Sequence, residues 1–88
     1  MSPGTISVRV QARFFAAYRE LTGASGAEVD LPEGATVADL IDTLRERGPS
    51  FGVLPPRPAV AVNLEYAPLE TELNDGDEVA FIPPVAGG

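Results

Sequence analysis

One strong amphipathic helix lies mid-chain with alternating stretches on both sides, and this arrangement limits the architectures open to the sequence. Val37, Leu40, Ile41 and Leu44 form a single apolar stripe at helical spacing. Thr36 suits the N-cap and Asp39 stands three residues on, as in a capping box. Arg45 and Arg47 favour the C-terminal end of the dipole, Gly48 can cap it, and Pro49 prevents continuation. The pattern predicts a helix over 37–47. A chain of 88 residues buries only roughly 60–65% of its unfolded surface, enough for one modest core and one domain.

The flanks read mostly as strands. From Ile6 to Phe14, Ile6, Val8, Val10, Ala12 and Phe14 share one face, and Ser7, Arg9, Gln11, Arg13 and Phe15 share the other. Phe14, Ala17, Tyr18 and Leu21 then take helical spacing, predicting a short helix over 15–22 that Gly23 stops. Ala27, Val29 and Leu31 mark a second strand, ended by the Pro32-Glu33-Gly34 turn. Residues 50–58 read as a loop with one helical turn at 51–54. Ala59 to Asn63 is a third strand with Val60 and Val62 inward. Leu64-Glu65 reads as a turn and Tyr66 to Leu69 as a short fourth strand. Asn74-Asp75-Gly76-Asp77 is a turn, and Glu78 to Ile82 is the last strand. One main helix against a mixed sheet, with an extra short helix after the first strand, is an α+β fold. The body spans 1–82, and residues 83–88 form a tail.

The side-chain chemistry is sparse. The sequence has no Cys, His, Trp or Lys, and all six basic residues are Arg. That removes thiol nucleophiles, catalytic imidazoles, Schiff-base lysines, disulfides and the common zinc sites. The net charge of −7 argues against nucleic acid and anionic membranes, and favours a partner with a basic face. With no signal-like N-terminus and no membrane-length apolar run, the expected location is the cytoplasm.

The tail carries the sharpest functional signal. Pro83-Pro84 cannot continue a ladder and stiffens the base. Val85 and Ala86 follow, and Gly87-Gly88 removes side chains where a partner must come close. Six extended residues reach about 20 Å. The bland alternative is a frayed terminus, but with average Gly usage near 7% two final glycines arise by chance well under ~1% of the time. A free carboxylate has no leaving group, so activation needs outside help, such as transfer of AMP. No phosphate-binding loop is present, so this chain is expected to bind no cofactor itself. ATP and Mg²⁺ would belong to a partner enzyme.

A second signal is apolar residues on faces that should be wet. Val79 and Phe81 point inward, so Ala80 and Ile82 point outward. Phe15 leaves the outward face of the first strand and Tyr66 follows a turn. If first and last strands are neighbours, Phe15 and Ile82 lie close at the tail root. Single surface hydrophobes are common, but a contiguous patch marks an interface. Asp75, Asp77 and Glu78 could suit a hard cation, yet a solvated Asp-Gly turn explains them, and no metal site is expected. Arg9, Arg13 and Arg19 could pair with these or other carboxylates.

The run Asp75-Gly76-Asp77-Glu78-Val79-Ala80-Phe81-Ile82-Pro83-Pro84-Val85-Ala86-Gly87-Gly88 resembles the C-terminus of molybdopterin synthase small subunits. Arg13-Phe14-Phe15-Ala16, Arg19-Glu20-Leu21-Thr22-Gly23, Leu31 to Leu40 and Ala61-Val62-Asn63 are also similar to that family. The resemblance implies a ubiquitin-like β-grasp fold and a carrier with no catalysis of its own. It further implies a thiocarboxylate on Gly88, beside Gly87, that donates sulfur to a cyclic pterin precursor. Implied partners are the large subunit, in a heterotetramer, a ubiquitin-activating-like adenylating enzyme and a sulfur donor protein. Phe15, Tyr66, Ile82, Pro83, Pro84, Val85 and Ala86 would meet the partner.

Other carriers remain open. The thiamine carrier shares the Gly-Gly end but typically lacks a helix at 15–22, and a carrier for cysteine biosynthesis ends similarly. A ubiquitin-like protein modifier is a further alternative. Without Lys, it could form only single attachments or N-terminal links. A plain interaction domain would leave the tail irrelevant.

Overall fold

A computed structural model describes residues 7–83. The elements run β1 (Ser7–Phe14), α1 (Ala16–Thr22), β2 (Gly26–Pro32), α2 (Val37–Arg45), α3 (Pro49–Gly52), β3 (Ala59–Val62), β4 (Glu65–Ala67) and β5 (Glu78–Ile82). The predicted strand start at Ile6, and the predicted tail 83–88 apart from Pro83, lie outside the described residues.

The strands form one five-stranded sheet in the order β2-β1-β5-β3-β4. β1 and β5 pair in parallel at its centre, and the neighbouring ladders β1–β2, β5–β3 and β3–β4 are antiparallel. The alternation in β1 is reproduced: Val8, Val10, Ala12 and Phe14 are buried, and the residues between them are exposed. The α2 stripe of Val37, Leu40, Ile41 and Leu44 is wholly inaccessible and packs with Val10, Phe14, Val29, Val60, Val79 and Phe81 in one core. Each such side chain contributes roughly 1.5–3 kcal/mol on burial.

The start of α2 is as its residues predict. Asp39 N–H donates to Thr36 Oγ1 at 3.3 Å, and Thr36 N–H donates to Asp39 Oδ2 at 2.9 Å. Two further first-turn N–H groups find distant carbonyls: Val37 N–H donates to Thr71 O and Ala38 N–H to Leu69 O, both at 3.0 Å. The helix ends at Arg45, two residues before the predicted limit, with Glu46 as C-cap. Gly48 is extended and caps the start of α3 rather than the end of α2.

Gly23 closes α1 as expected, at φ 73° with its N–H donating to Arg19 O. The buried face of α1 differs from its predicted stripe. Tyr18 and Thr22 are buried, whereas Ala17 is exposed and Leu21 is 53% exposed. Ala16 sits at φ 47°, which breaks the phase between Phe14 and the helix. Thr22 tolerates burial because its hydroxyl donates to Tyr18 O at 2.8 Å.

The β3–β4 turn also shifts by one residue from its expected place. Val62 pairs with Glu65, so the two loop residues are Asn63 and Leu64, at φ 50° and 75°. Two successive positive φ values match the twist of a tight hairpin. Asparagine accepts this region readily, whereas leucine there costs about 1–2 kcal/mol. The fourth strand consequently starts at Glu65 and ends at Ala67, short of the predicted Leu69.

Gly26 is a close-approach glycine in an edge strand. A Cβ there would lie 2.7 Å from the Ala12 carbonyl oxygen. Gly→Ala at an unstrained site gains about 0.4–1 kcal/mol through the unfolded chain. A clash with backbone outweighs that gain, and Gly26→Ala is expected to lose about 1–3 kcal/mol in a denaturant titration. A variant as stable as the parent would show that the β1–β2 ladder yields freely there.

Candidate functional site

Two chain segments leave the sheet at the same end. Parallel pairing sets Phe14 opposite Phe81, so Phe15 and Ile82 follow at adjacent positions. The ladder to β3 places Ala59 opposite Ile82. Core packing anchors this corner from below: the Phe14 ring lies 5.3 Å from the Phe81 ring and 5.8 Å from the Phe51 ring. Val79 and Phe81 are fully buried, while Ala80 and Ile82 are half-buried on the opposite face, as the alternation requires.

An open depression of about 410 Å³ lies beside the tail root, lined by Tyr18, Pro55, Arg57, Tyr66, Ile82 and Pro83 among others. It brings together three of the predicted partner-binding residues, Tyr66, Ile82 and Pro83. Phe15 does not line it. It is the N-cap residue of α1 and is 45% exposed, one strand away. Pro84, Val85, Ala86, Gly87 and Gly88 lie outside the described residues.

Tyr18, Pro55 and Arg57 line the depression beyond the residues that the sequence pattern singles out for the partner. The signal available was the Pro55-Pro56-Arg57-Pro58 run immediately before β3, which becomes meaningful only once β3 is set against β5. Arg57 is exposed and has no carboxylate partner among the described residues. Burial raises the Tyr18 phenol above its ordinary pKa.

The acidic turn residues have structural partners. Asp75 Oδ1 accepts the Arg9 backbone N–H at 2.8 Å. Asp77 accepts from Asn63 Nδ2 through Oδ1 and from the Asn74 N–H through Oδ2, each at 2.8 Å. Arg13 pairs with Glu78 at 3.1 Å, and Arg9 pairs with Asp30 at 2.8 Å. The hydrogen bond from Arg9 holds the Asp30 carboxyl below its ordinary pKa. Both pairs are solvent-exposed, so they contribute little to stability. Among the described residues no helix is long and apolar enough to cross a membrane.

A mixed five-stranded sheet packed on one main helix defines a class: the ubiquitin-like β-grasp proteins. The ThiS family model matches residues 12–88, and the chain belongs to that family. A molybdopterin synthase sulfur carrier subunit from Mycobacterium tuberculosis is 43% identical over 82 residues, 92% of this chain and 99% of the relative. Small archaeal modifier protein 1 from Haloferax volcanii matches with a TM-score of 0.76 at 31% identity, over 89% of this chain and 99% of that one. A chain from the protein–protein complex of subunits 1 and 2 of the Helicobacter pylori molybdopterin-converting factor matches with a TM-score of 0.67 at 26% identity, over 92% and 100%.

Proposed function

We propose that this chain is the sulfur carrier subunit of a molybdopterin synthase, with its reactive group on Gly88. The observation that carries the reading is the family match through residue 88, which includes Gly87-Gly88, combined with the apolar corner formed at Ile82 and Pro83. On this reading the Gly88 carboxylate attacks the α-phosphate of ATP in an adenylating enzyme, and pyrophosphate leaves. Sulfide (HS⁻) supplied by a donor protein then attacks the acyl carbon and AMP leaves with the bonding pair, so that a thiocarboxylate remains. Pro83, Pro84, Val85 and Ala86 form the stem that carries this sulfur into the large subunit's pocket, against a cyclic pterin precursor. The chain supplies position rather than catalysis, and proximity can replace the groups it lacks. The presence of α1 between β1 and β2 supports a pterin acceptor over a thiazole.

The test is intact mass. Incubation with the cognate adenylating enzyme, ATP and a sulfur source should replace one oxygen by sulfur. Addition of the large subunit and pterin precursor should restore the carboxylate and release dithiolene product. Sulfur that stays on the protein there, yet is consumed by a thiazole-forming system, would move the assignment. The likeness to small archaeal modifier protein 1 supports a second reading, attachment to other proteins. Lysine-linked adducts in extract would favour it.

The apolar corner yields its own prediction. Ile82→Asp and Phe15→Asp should each weaken binding of the large subunit about 10- to 100-fold, since 1.5–3 kcal/mol of burial is exchanged for a desolvated charge. Melting temperatures should change little. A large drop in melting temperature with unchanged affinity would make these residues part of the core.

A further inference from the structure

The far end of the sheet, away from the tail root, presents a leucine where the backbone disfavours one. β3 runs from Ala59, opposite Ile82, to Val62, opposite Val79. Leu64 therefore lies beyond the opposite end of that ladder. Its φ is 75° and its exposure is 87%, so the side chain gains nothing from the fold at a site glycine would occupy without strain.

The turn that carries it is braced. Asn63 N–H donates to Glu78 O at 2.8 Å, Asn63 Nδ2 to Asp77 Oδ1 at 2.8 Å, and Glu78 N–H to Asn63 Oδ1 at 3.0 Å. A tip held this firmly loses little freedom on binding.

An acidic depression of about 290 Å³ adjoins the hairpin, with Glu65, Glu72 and Asp77 in its lining and no Arg. Tyr66 lines both this depression and the one at the tail root, so the two surfaces are continuous along β4. Two copies meeting here would bring carboxylates together, and the net charge of −7 adds to that repulsion. The complement is an apolar socket rimmed by lysine or arginine.

We propose that Leu64 and the acidic depression beside it extend the tail-root interface along β4, seating in an apolar, basic-rimmed socket on the large subunit that receives the tail. The identity of that partner rests on the carrier reading.

The experiment titrates purified cognate large subunit and, in parallel, the cognate adenylating enzyme with the full chain, Leu64→Gly, Leu64→Asn and Glu72→Gln, at low and high salt. Both Leu64 variants should melt at or above the parent temperature and lose at least 10-fold in affinity. Glu72→Gln should bind more weakly at low salt and show a flatter salt dependence. Affinities of the Leu64 variants within twofold of the parent would overturn the proposal and leave the carrier reading intact. Melting several degrees lower would also overturn it, by making Leu64 part of the fold. A loss seen only with the adenylating enzyme would refute the assignment to the large subunit. A parent chain that binds no large subunit would overturn the carrier reading and this interface together.

Discussion

Deleting Gly88, or adding one residue after it, is expected to reduce sulfur transfer by at least ~100-fold without changing the melting temperature. One residue displaces the reacting atom by about 3.3–3.6 Å. A misplacement near 1 Å already costs ~100-fold where rate depends on position. The core assembled among the described residues runs from Val8 to Phe81, so the change lies beyond it. Two assays settle the matter: thiocarboxylate formation by intact mass, and dithiolene yield with the large subunit. An extended variant that is still thiocarboxylated and still makes product would remove the terminal carboxylate from the mechanism.

Phe81→Ala should have the largest effect on stability. Phe81 is wholly buried, packs at a tilt against Phe14 and directly precedes Ile82. Truncating a core phenylalanine costs about 3–5 kcal/mol, the transfer of its ring plus the cavity left behind. A short domain has roughly 5–15 kcal/mol in all. At about 4–8 °C per kcal/mol, the melting temperature should fall by more than ~12 °C. Transfer should fail above the new transition and recover on cooling. A drop of only a few degrees would mean that α2 and β5 repack around the gap.

The strands and the main helix were legible because their patterns are local. β5 occupies the predicted Glu78–Ile82, and the Thr36–Asp39 box sits where the residues put it. The misses share a long-range or conformational cause. Leu73 is buried in a loop segment that its N–H, donating to Ala35 O, ties to the start of α2, a contact across the chain. Leu54 is buried in a stretch with no periodicity. The face of α1 depends on the left-handed φ of Ala16, and the β3–β4 turn on a left-handed leucine that no propensity would choose. That β1 and β5 are neighbours is a condition that the local patterns leave open. Once met, it puts Phe15 beside Ile82. Arg57 joins the tail-root lining only because β3 also lies against β5.

That pairing also has a mechanical side. β5 is clamped on both flanks, by β1 over Gln11–Phe14 and by β3 over Ala59–Val62. A pull directed along the β5 axis loads both ladders in shear, with their bonds strained together instead of unzipped singly. On the proposed carrier reading, withdrawing the end from a partner's pocket would load the sheet in that same direction. Force applied instead through β4, an edge strand of three residues, would peel the hairpin away first.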